Sequence, residues 1–393
     1  MDNQICTYID SKRDEMIQIA DAIFDNPEIG LEEYKASTML EDWLENQGFI
    51  VERGIGTMKT AFRAVYENGE HGPSIGLLCE YDALKGIGHA CGHHLQGPCI
   101  ITAAAAIKKT NIDKPYKLVV YGTPAEESYS GKIQMIKEGS FQDIDIALMM
   151  HGGPTTTTDI KSLANYSVTV TFRGKSSHAA IKPEQGRSAL DALILSFQGI
   201  EFLREHVKED VKMHYTIDSC GNSPVNVVPH IAIGTFSLRS YNIKTLESIL
   251  ERFKKVMQGA AMMTETEVEI HINKKVSNKI PALKLNEVIM ENAKKIEAPR
   301  ISPPRERTGS TDLGDVMQKM PGSCIRVAFV PENASPHSEE YLRAGKTKEA
   351  HDAIIIGAKI LAETAVELIE NPHLLQEIKN EYQIAKDKQS KEA

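Results

Sequence analysis

The chain has 393 residues, of which 41% are hydrophobic and 25% charged, and its formal net charge at pH 7 is -9. A single hydrophobic core rarely grows beyond about 250–300 residues, so this length predicts two domains. The composition is ordinary for a globular protein and excludes a mostly disordered chain. The negative net charge argues against non-specific binding to nucleic acid.

The sequence gives no indication of membrane insertion or secretion. Its longest apolar stretch, around residues 100–107, is much shorter than the roughly 20 residues that a membrane-spanning helix needs. The N-terminal segment lacks the basic region and apolar core of a secretion signal. Six cysteines are scattered along the chain, a distribution that does not favour a disulfide framework. We therefore expect a cytoplasmic protein with reduced thiols.

Helix and strand patterns alternate from the start of the chain to about residue 150. Apolar residues at helical spacing predict helices at 8–24, 31–47, 100–108 and 132–137. Short apolar runs predict strands at 60–66, 74–78, 117–122 and 144–150. Such alternation is typical of an α/β fold in which helices cover a sheet.

A different pattern begins after residue 159. Strands are predicted at 167–172, 214–218, 231–239 and 267–272, and helices at 189–208 and 243–257. This β-α-β-β-α-β order is that of a ferredoxin-like α+β sandwich. The segment of about 110 residues is long enough to form a small domain of its own.

The first pattern resumes near the end of the chain. It predicts helices at 283–296, 312–319 and 350–369 and a strand at 324–329, whereas the charged tail after residue 372 is expected to fray. The simplest interpretation is a discontinuous α/β domain with a helix-flanked mixed sheet, formed by residues 1–163 and 276–393. The ferredoxin-like domain, residues 164–275, is then an insertion.

Four short segments at or beyond the ends of predicted strands concentrate residue types that bind metals. They contain Cys91 and His93 (HACGHH), Glu126 and Glu127, His151 (MMHGGP), and His337 (SPHSEEY). In layered α/β folds, sites form where the carboxyl ends of the strands meet. We therefore expect these segments to converge in space.

The chemistry of these residues favours two metal ions. A borderline metal such as Zn²⁺ accepts thiolate, imidazole and carboxylate ligands together. The five candidates, Cys91, His93, Glu127, His151 and His337, are more than one tetrahedral ion needs. Two ions about 3.5–4 Å apart would use all five if one ligand, such as a thiolate, bridges them.

The adjacent pair Glu126 and Glu127 can divide the work of a hydrolase. Neighbouring side chains point in different directions, so one carboxylate can bind metal while the other acts as a general base on water. Hydrolysis of an amide bond follows from such an arrangement.

Each of these features also has an ordinary explanation. Cys91 and His93 could be a buried thiol beside a core histidine, and adjacent glutamates usually lie on a solvated surface. Cys91 could also be a thiolate nucleophile beside His89 or His93. Residues two apart in a loop seldom reach attacking geometry, however, and this alternative leaves the glutamate and other histidine segments unused.

A set of ordered motifs resembles a known family. They are GLLCEYDALKGIGHACGHHLQG, GTPAEES, MMHGGPTTTT, GKSSHAAIKPEQGRSALDA, NVVPHIAIGTFSLRS, GSTDLGDV and PHSEEY. Their order is similar to that of the aminoacylase and carboxypeptidase type of dinuclear metallopeptidase, family M20, subfamily D. Within it, the chain looks most like the amidohydrolase branch of aminobenzoyl-glutamate utilisation B proteins and indoleacetyl-amino-acid hydrolases.

The resemblance implies roles for residues in the α/β domain. It implies two bound divalent ions, zinc or manganese, with cobalt or nickel as further options. Glu126 would be the general base, and Asp82 in EYDAL would orient a metal ligand. The metal ligands would be Cys91, His93, Glu127, His151 and His337.

The resemblance also implies that the inserted domain is a lid through which the protein forms a homodimer. His178 in SSHAA would polarise the scissile carbonyl, either within its own subunit or across the dimer. Asn226 and Arg239 would hold the carboxylate of the substrate, a task that suits the guanidinium fork.

Two positions depart from the family pattern. His94 follows CGH where Asp or Asn is common, and Lys85 replaces the proline of a DALPG turn. Both changes leave the proposed ligands intact and leave the metal and substrate preference open.

The sequence thus predicts a metal-dependent amidohydrolase that cleaves N-acyl, aminobenzoyl or dipeptide-like amino acids. Its partners would be such small molecules and a second copy of the chain, with no nucleic acid and no membrane. The alternative is a degenerate relative that binds an amino-acid conjugate without turnover.

Overall fold

The computed structural model describes residues 3–222 and 224–391. The chain forms two compact units. The first unit ends at Lys161 and resumes over Lys279–Lys386, and the second covers Ser162–Asn278 and resumes at Asp387. The C-terminal residues from 387 onwards were expected in the first unit. They group with the second because Gln389 accepts hydrogen bonds from Asn242 and Asn278.

A seven-stranded mixed sheet organises the first unit. Its strands are β1 (Ile50–Ile55), β2 (Met58–Asn68), β3 (Ser74–Cys79), β4 (Tyr116–Gly122), β5 (Ile146–Gly153), β6 (Thr157–Thr158) and β11 (Gly322–Ala328). They lie in the order β1-β2-β4-β3-β5-β11-β6. The pairs β4/β3, β3/β5 and β5/β11 are parallel, so the carboxyl ends of these four strands meet at one edge.

A four-stranded antiparallel sheet forms the second unit. Its strands are β7 (Ala164–Arg173), β8 (Lys212–Ser219), β9 (Ile231–Ser240) and β10 (Glu267–Val276), in the order β10-β7-β9-β8. Buried and partly exposed residues alternate along β7 and β9, because only one face of the sheet packs on the helices. The predicted ferredoxin-like α+β fold is confirmed.

Helices cover both sheets. Those of the first unit are α1 (Asn3–Ser11), α2 (Arg13–Asp25), α3 (Tyr34–Asn46), α4 (Gln96–Lys109), α5 (Gly131–Lys137), α8 (Leu283–Lys295), α9 (Leu313–Met317), α10 (Glu339–Ala344) and α11 (Lys348–Glu370). Those of the second are α6 (Ala189–Arg204) and α7 (Ile243–Thr264). The final helix, α12 (Pro372–Lys391), begins in the first unit.

The α4 helix lies at the centre of the first unit. All its residues from Gln96 to Ile107 are buried, and they pack against β3, β5 and α11. Alanines fill most of its second half, so neighbouring elements approach it closely. The loop that carries Cys91 and His93 leads directly into this helix, which gives the loop a rigid support.

Three expectations about elements were wrong. The predicted helix at 8–24 is two helices that meet near Lys12. The tail after residue 372 is the helix α12, because Leu375, Ile378 and Tyr382 are buried along one side of it. The edge strand β1 was missed because most of its side chains face solvent, which removes the hydrophobic signal.

Within the described ranges, no helix is both long enough and apolar enough to cross a bilayer.

Candidate active site

The four parallel strands bring the motif segments together. Asp82 follows β3, Glu126 and Glu127 follow β4, His151 lies within β5, and His337 belongs to the loop after β11. These side chains line one cleft of ≈ 540 Å³ in the first unit, together with Cys91. The expected convergence at the carboxyl ends of the strands is therefore observed.

A tight turn presents Cys91 and His93. Gly92 has φ +85°, a left-handed conformation that a residue with a side chain rarely adopts. The turn leads into a short 3₁₀ segment, His93–Leu95. As a result, Cys91 Sγ lies 3.6 Å from His151 Nε2 on β5.

Asp82 connects two of the candidate ligands. Its Oδ1 lies 3.0 Å from His93 Nδ1, and its Oδ2 accepts a hydrogen bond of 3.0 Å from the backbone N–H of Glu127. Holding Nδ1 in this way leaves the opposite ring nitrogen of His93 available to a ligand. The geometry suits the orienting role predicted for Asp82.

Glu127 and His337 form the other side of the cluster. His337 Nε2 lies 3.2 Å from Glu127 Oε1, yet that buried oxygen has no hydrogen-bond partner among the described residues. Two ligand atoms that face each other without a hydrogen bond are expected where both point at a cation. The backbone N–H of His337 donates to the Ala90 carbonyl, at 2.9 Å, which ties this loop to the Cys91 turn.

The candidate ligands fall into two groups that share a thiol. Cys91, His93 and His151 offer ligand atoms that all lie within 4.8 Å of one another, and so do Cys91, Glu127 and His337. Thiolate, imidazole and carboxylate are the ligand types that Zn²⁺ prefers. The residues therefore fit two metal ions with Cys91 between them.

The Cys91 thiol needs a cation to ionise. Burial raises the pKa of Cys91 to about 12, so without a positive partner it stays protonated at neutral pH. A metal ion at this position would provide that partner. The same pKa argues against Cys91 as an unassisted thiolate nucleophile.

Glu126 has the properties of a proton acceptor. Burial is the largest cause that raises its pKa to about 8, and the carboxylates of Glu80 and Asp312 act in the same direction. A general base works best when its pKa is near the working pH. Glu126 therefore differs from its neighbour Glu127, whose carboxylate faces His337.

Glu33 holds the backbone just before this pair. Its Oε1 accepts a hydrogen bond of 2.8 Å from the N–H of Ala125, and its Oε2 accepts one of 2.8 Å from the Thr60 hydroxyl. Ala125 has φ +59°, a conformation that costs energy in a non-glycine residue. The Glu33 contact compensates for this cost and fixes the turn from which Glu126 projects.

A buried ionic network behind the site was not anticipated from the sequence. Lys132 Nζ lies 2.6 Å from Glu80 Oε1 and 2.7 Å from Asp312 Oδ1, and Glu80 Oε2 lies 3.2 Å from His93 Nε2. The only sequence signal was the EYD segment, which places Glu80 directly after β3. Lys132 and Asp312 are 180 residues apart and gave none.

The two departures from the family pattern lie outside the metal-binding groups. His94 is buried, its Nε2 lies 2.8 Å from the Gly345 carbonyl, and its ring packs against Phe24 and His89. Lys85 is exposed in a turn. Among the described residues, neither belongs to a group that could hold a metal.

The predicted substrate-binding residues occupy the second unit. His178 and Asn226 lie on two loops that pair, since His178 bridges to Val227 and the Ala179 N–H donates to the Asn226 carbonyl at 2.9 Å. Arg239 lies near the far end of β9, where it pairs with Asn165. At about 3.4 Å per residue, this end is on the order of 25 Å from the start of the strand. One copy of this unit therefore does not bring Arg239 to the other two residues.

Comparison with known proteins identifies the family. A model described as peptidase family M20/M25/M40 matches residues 73–367, which is most of the chain. The chain belongs to this family. The assignment confirms the resemblance that the motifs indicated.

Full-length relatives support the same assignment. The chain is 32% identical to one of the chains of p-aminobenzoyl-glutamate hydrolase from Escherichia coli strain K12, over 97% of this chain and 94% of the relative. It is also 32% identical to the human Xaa-Arg dipeptidase, over 96% of this chain and 90% of that protein. These M20 relatives are hydrolases of amide bonds, and this chain is a hydrolase of the same class.

The fold is shared with solved structures. One is a Bacillus subtilis protein described as a dinuclear metal-binding peptidase of the M20 family, with a TM-score of 0.71 and 17% identity. The alignment covers 92% of this chain and 99% of that one. At this level of identity, the likeness establishes the two-part M20 architecture.

Proposed function

We propose that the protein is a dinuclear metal-dependent amidohydrolase that releases an amino acid from an N-acyl, aminobenzoyl or dipeptide-like conjugate. The observation that carries this proposal is the pair of ligand groups that share Cys91, with Glu126 beside them in the same cleft. Zinc or manganese fits the ligand set best, and cobalt and nickel are further options.

The chain's own residues would divide the reaction as follows. Cys91, His93, Glu127, His151 and His337 would hold the ions, which when bound lower the pKa of water and polarise a carbonyl. Asp82 would keep the His93 ring and the Glu127 backbone in position. Glu126 would take a proton from the attacking water and pass it to the nitrogen of the departing amino acid.

The second unit is proposed as a substrate-binding lid. His178 would polarise the scissile carbonyl, and Asn226 and Arg239 would hold the substrate carboxylate. Because Arg239 and the two loop residues lie at opposite ends of β9, one unit cannot offer all three to one small substrate. This separation supports a homodimer in which each site draws lid residues from two chains.

Surface residues of the second unit support such a dimer. Exposed fractions reach 71% for Phe202 and 45% for Ile194 on α6, and 54% for Ile217 on the edge strand β8. Apolar side chains grouped on one layer often mark an interface between proteins. A cytoplasmic location is part of the proposal as well, and the six free cysteines are consistent with it.

The charge of the released amino acid is open at this stage. One relative is named for a glutamate conjugate and the other for a dipeptide that ends in arginine. Both classes therefore belong in a substrate panel.

Kinetics on this panel test the proposal. We expect the zinc- or manganese-loaded protein to hydrolyse at least one N-acyl amino acid, aminobenzoyl-glutamate or dipeptide, and Glu126→Gln to lower kcat by about 10²–10⁴-fold. The control is Glu52→Gln, which neutralises an exposed glutamate on β1 and should leave kcat unchanged. Inactivity on the whole panel would favour the non-catalytic binding protein, and equal rates for wild type and Glu126→Gln would exclude Glu126 as the base.

A further inference from the structure

A cluster of cations on one wall of the cleft is not used by the proposed reaction. Its members are Lys279, Arg305 and Arg326, all of which contact Asp159. Arg305 and Arg326 line the same cleft as Cys91 and Glu126. The cluster therefore belongs to the substrate's surroundings.

Positive charge is in excess in this cluster. Asp159 Oδ1 accepts from Arg305 at 2.6 and 2.8 Å, and its Oδ2 lies 2.9 Å from Lys279 Nζ and 3.4 Å from Arg326 Nε. Burial opposes ionisation of Asp159, but the three cations outweigh it and hold its pKa well below the usual range. One carboxylate thus faces three cations, so two positive charges remain uncompensated within the cluster.

The remaining donors of the two arginines point away from Asp159. Arg305 bonds Asp159 through Nε and Nη2 only, and its side chain is 36% exposed. Arg326 Nη1 lies 3.2 Å from His151 Nδ1, but that nitrogen already donates to the Gly152 carbonyl at 2.7 Å. A nitrogen that donates cannot also accept, so Arg326 gains no acceptor there.

The acidic residues of the cleft do not supply the missing charge. Glu80 is paired with Lys132 at 2.6 Å, and Glu126 and Glu127 are the base and a metal ligand in the proposed reaction. Bound divalent ions would add further positive charge. An anionic group of the substrate would complete this balance.

The loop that carries Arg305 is built to keep its position. The Arg305 N–H donates to the Thr158 carbonyl at 2.9 Å, and its own carbonyl accepts from the Ile160 N–H at 2.9 Å. Further along, Ser310 lines the cleft, and its buried hydroxyl has no hydrogen-bond partner in the part of the chain that the structure describes. A fixed guanidinium and an unsatisfied hydroxyl together suit a carboxylate.

We propose that Arg305, supported by Arg326 and Ser310, forms a subsite for a second carboxylate of the substrate, in addition to the α-carboxylate of the released amino acid. This inference rests on the proposed function, and it selects the anionic class of substrate over the cationic one. The second carboxylate belongs either to the side chain of the amino acid or to the acyl group. A substrate with an arginine or lysine side chain at this subsite would meet like charge.

Matched substrates that differ only in charge test the subsite. The first pair is N-acetylglutamate and N-acetylglutamine, which examines the amino-acid side chain, and the second is N-succinylalanine and its succinamoyl counterpart, which examines the acyl group. In at least one pair we expect kcat/KM to be about 10- to 100-fold higher for the acidic member, the usual range for a hydrogen bond to a charged group. Equal values in both pairs, or a preference for N-acetylarginine, would overturn the proposal.

Variants identify the residue responsible. Arg305→Gln should remove the preference by raising KM for the acidic member, and Arg305→Lys should keep part of it. Arg307→Gln is the control, because Arg307 is an exposed arginine on the same loop. A preference that survives in a folded Arg305→Gln protein would exclude the subsite, and the comparison on wild type needs no variant to fold.

Calorimetry separates this inference from the proposed function. We expect the wild-type protein to bind glutamate at least about 10-fold more tightly than glutamine, or succinate more tightly than succinamate, whether or not it turns over a conjugate. Binding without hydrolysis would keep the subsite and remove the hydrolase. Hydrolysis without any preference for charge would do the reverse.

Discussion

At the scale of single residues, the site depends on carboxylates that each serve two partners. Asp82 joins His93 to the backbone of Glu127, and Glu33 joins Thr60 to the backbone of Ala125. Both act on the turn that presents Glu126 and Glu127. Paired contacts of this kind fix a loop more precisely than packing alone, because each one constrains direction as well as distance.

The pKa of Glu33 predicts a pH-dependent contribution to stability. Burial raises this pKa from about 4.5 to about 7, so the folded state holds the proton more tightly than the unfolded state. The contribution is fully present below pH 4.5 and is lost as the pH rises through 7. Relative to wild type, Glu33→Gln should therefore gain stability with rising pH, by on the order of 3 kcal/mol at most.

Thermal unfolding of both proteins at a series of pH values checks this sign. The difference in Tm, variant minus wild type, should increase between pH 5 and pH 8. The exposed Glu52→Gln variant should show a difference near zero at every pH. A constant or decreasing difference for Glu33→Gln would contradict the raised pKa.

At the scale of elements, close packing around α4 supports the site from below. Gly357 on α11 is one point of contact, where an added Cβ would lie 2.8 Å from Met150 Cγ and 3.0 Å from Cys99 Sγ. Met150 directly precedes His151 on β5. A shift in this layer would therefore reach a proposed metal ligand.

Two glycine-to-alanine substitutions should have opposite effects. Gly357→Ala should lower the free energy of unfolding by about 1–3 kcal/mol, because it overpacks the α11–β5 contact. Gly259→Ala on α7 meets nothing within 4 Å and should stabilise by about 0.5–1 kcal/mol through helix propensity. Chemical denaturation measures both effects. A neutral Gly357→Ala would show that the layer can move apart at little cost.

Local signals in the sequence predicted the elements and the ligand segments well. Cys91, Glu127, His151 and His337 each lie close to the end of a strand, so reading the strands was enough to expect their convergence. The ionic partners Lys132 and Asp312, and the cluster around Asp159, depend on contacts between distant segments. Nothing local marks them, because a buried lysine or arginine looks like a surface residue until its partner is known.

At the scale of the whole molecule, the homodimer is the prediction with the largest consequence for catalysis. If each active site combines Glu126 of one chain with His178 of another, two inactive variants should rescue each other. In a mixed dimer of Glu126→Gln and His178→Ala, one of the two sites contains both wild-type residues.

Mixing the two variants under conditions that allow exchange of chains between dimers tests this arrangement. Random reassortment should restore up to about a quarter of wild-type activity, since half of the dimers are mixed and each has one intact site. A control that mixes Glu126→Gln with wild type should show only dilution. No recovery in a dimer that exchanges its chains would place His178 in the site of its own chain, and a monomer of full activity would remove the dimer.

The central claim is that two metal ions held around Cys91 make this protein a hydrolase, and a metal titration tests it most directly. Chelator-treated protein is titrated with Zn²⁺ or Mn²⁺ while activity and bound metal are measured together, alongside Glu126→Gln. We expect activity to be absent without metal and to saturate at about two ions per chain, and Glu126→Gln to bind the same amount without turnover. Full activity in the metal-free protein, or saturation without bound metal, would contradict the claim.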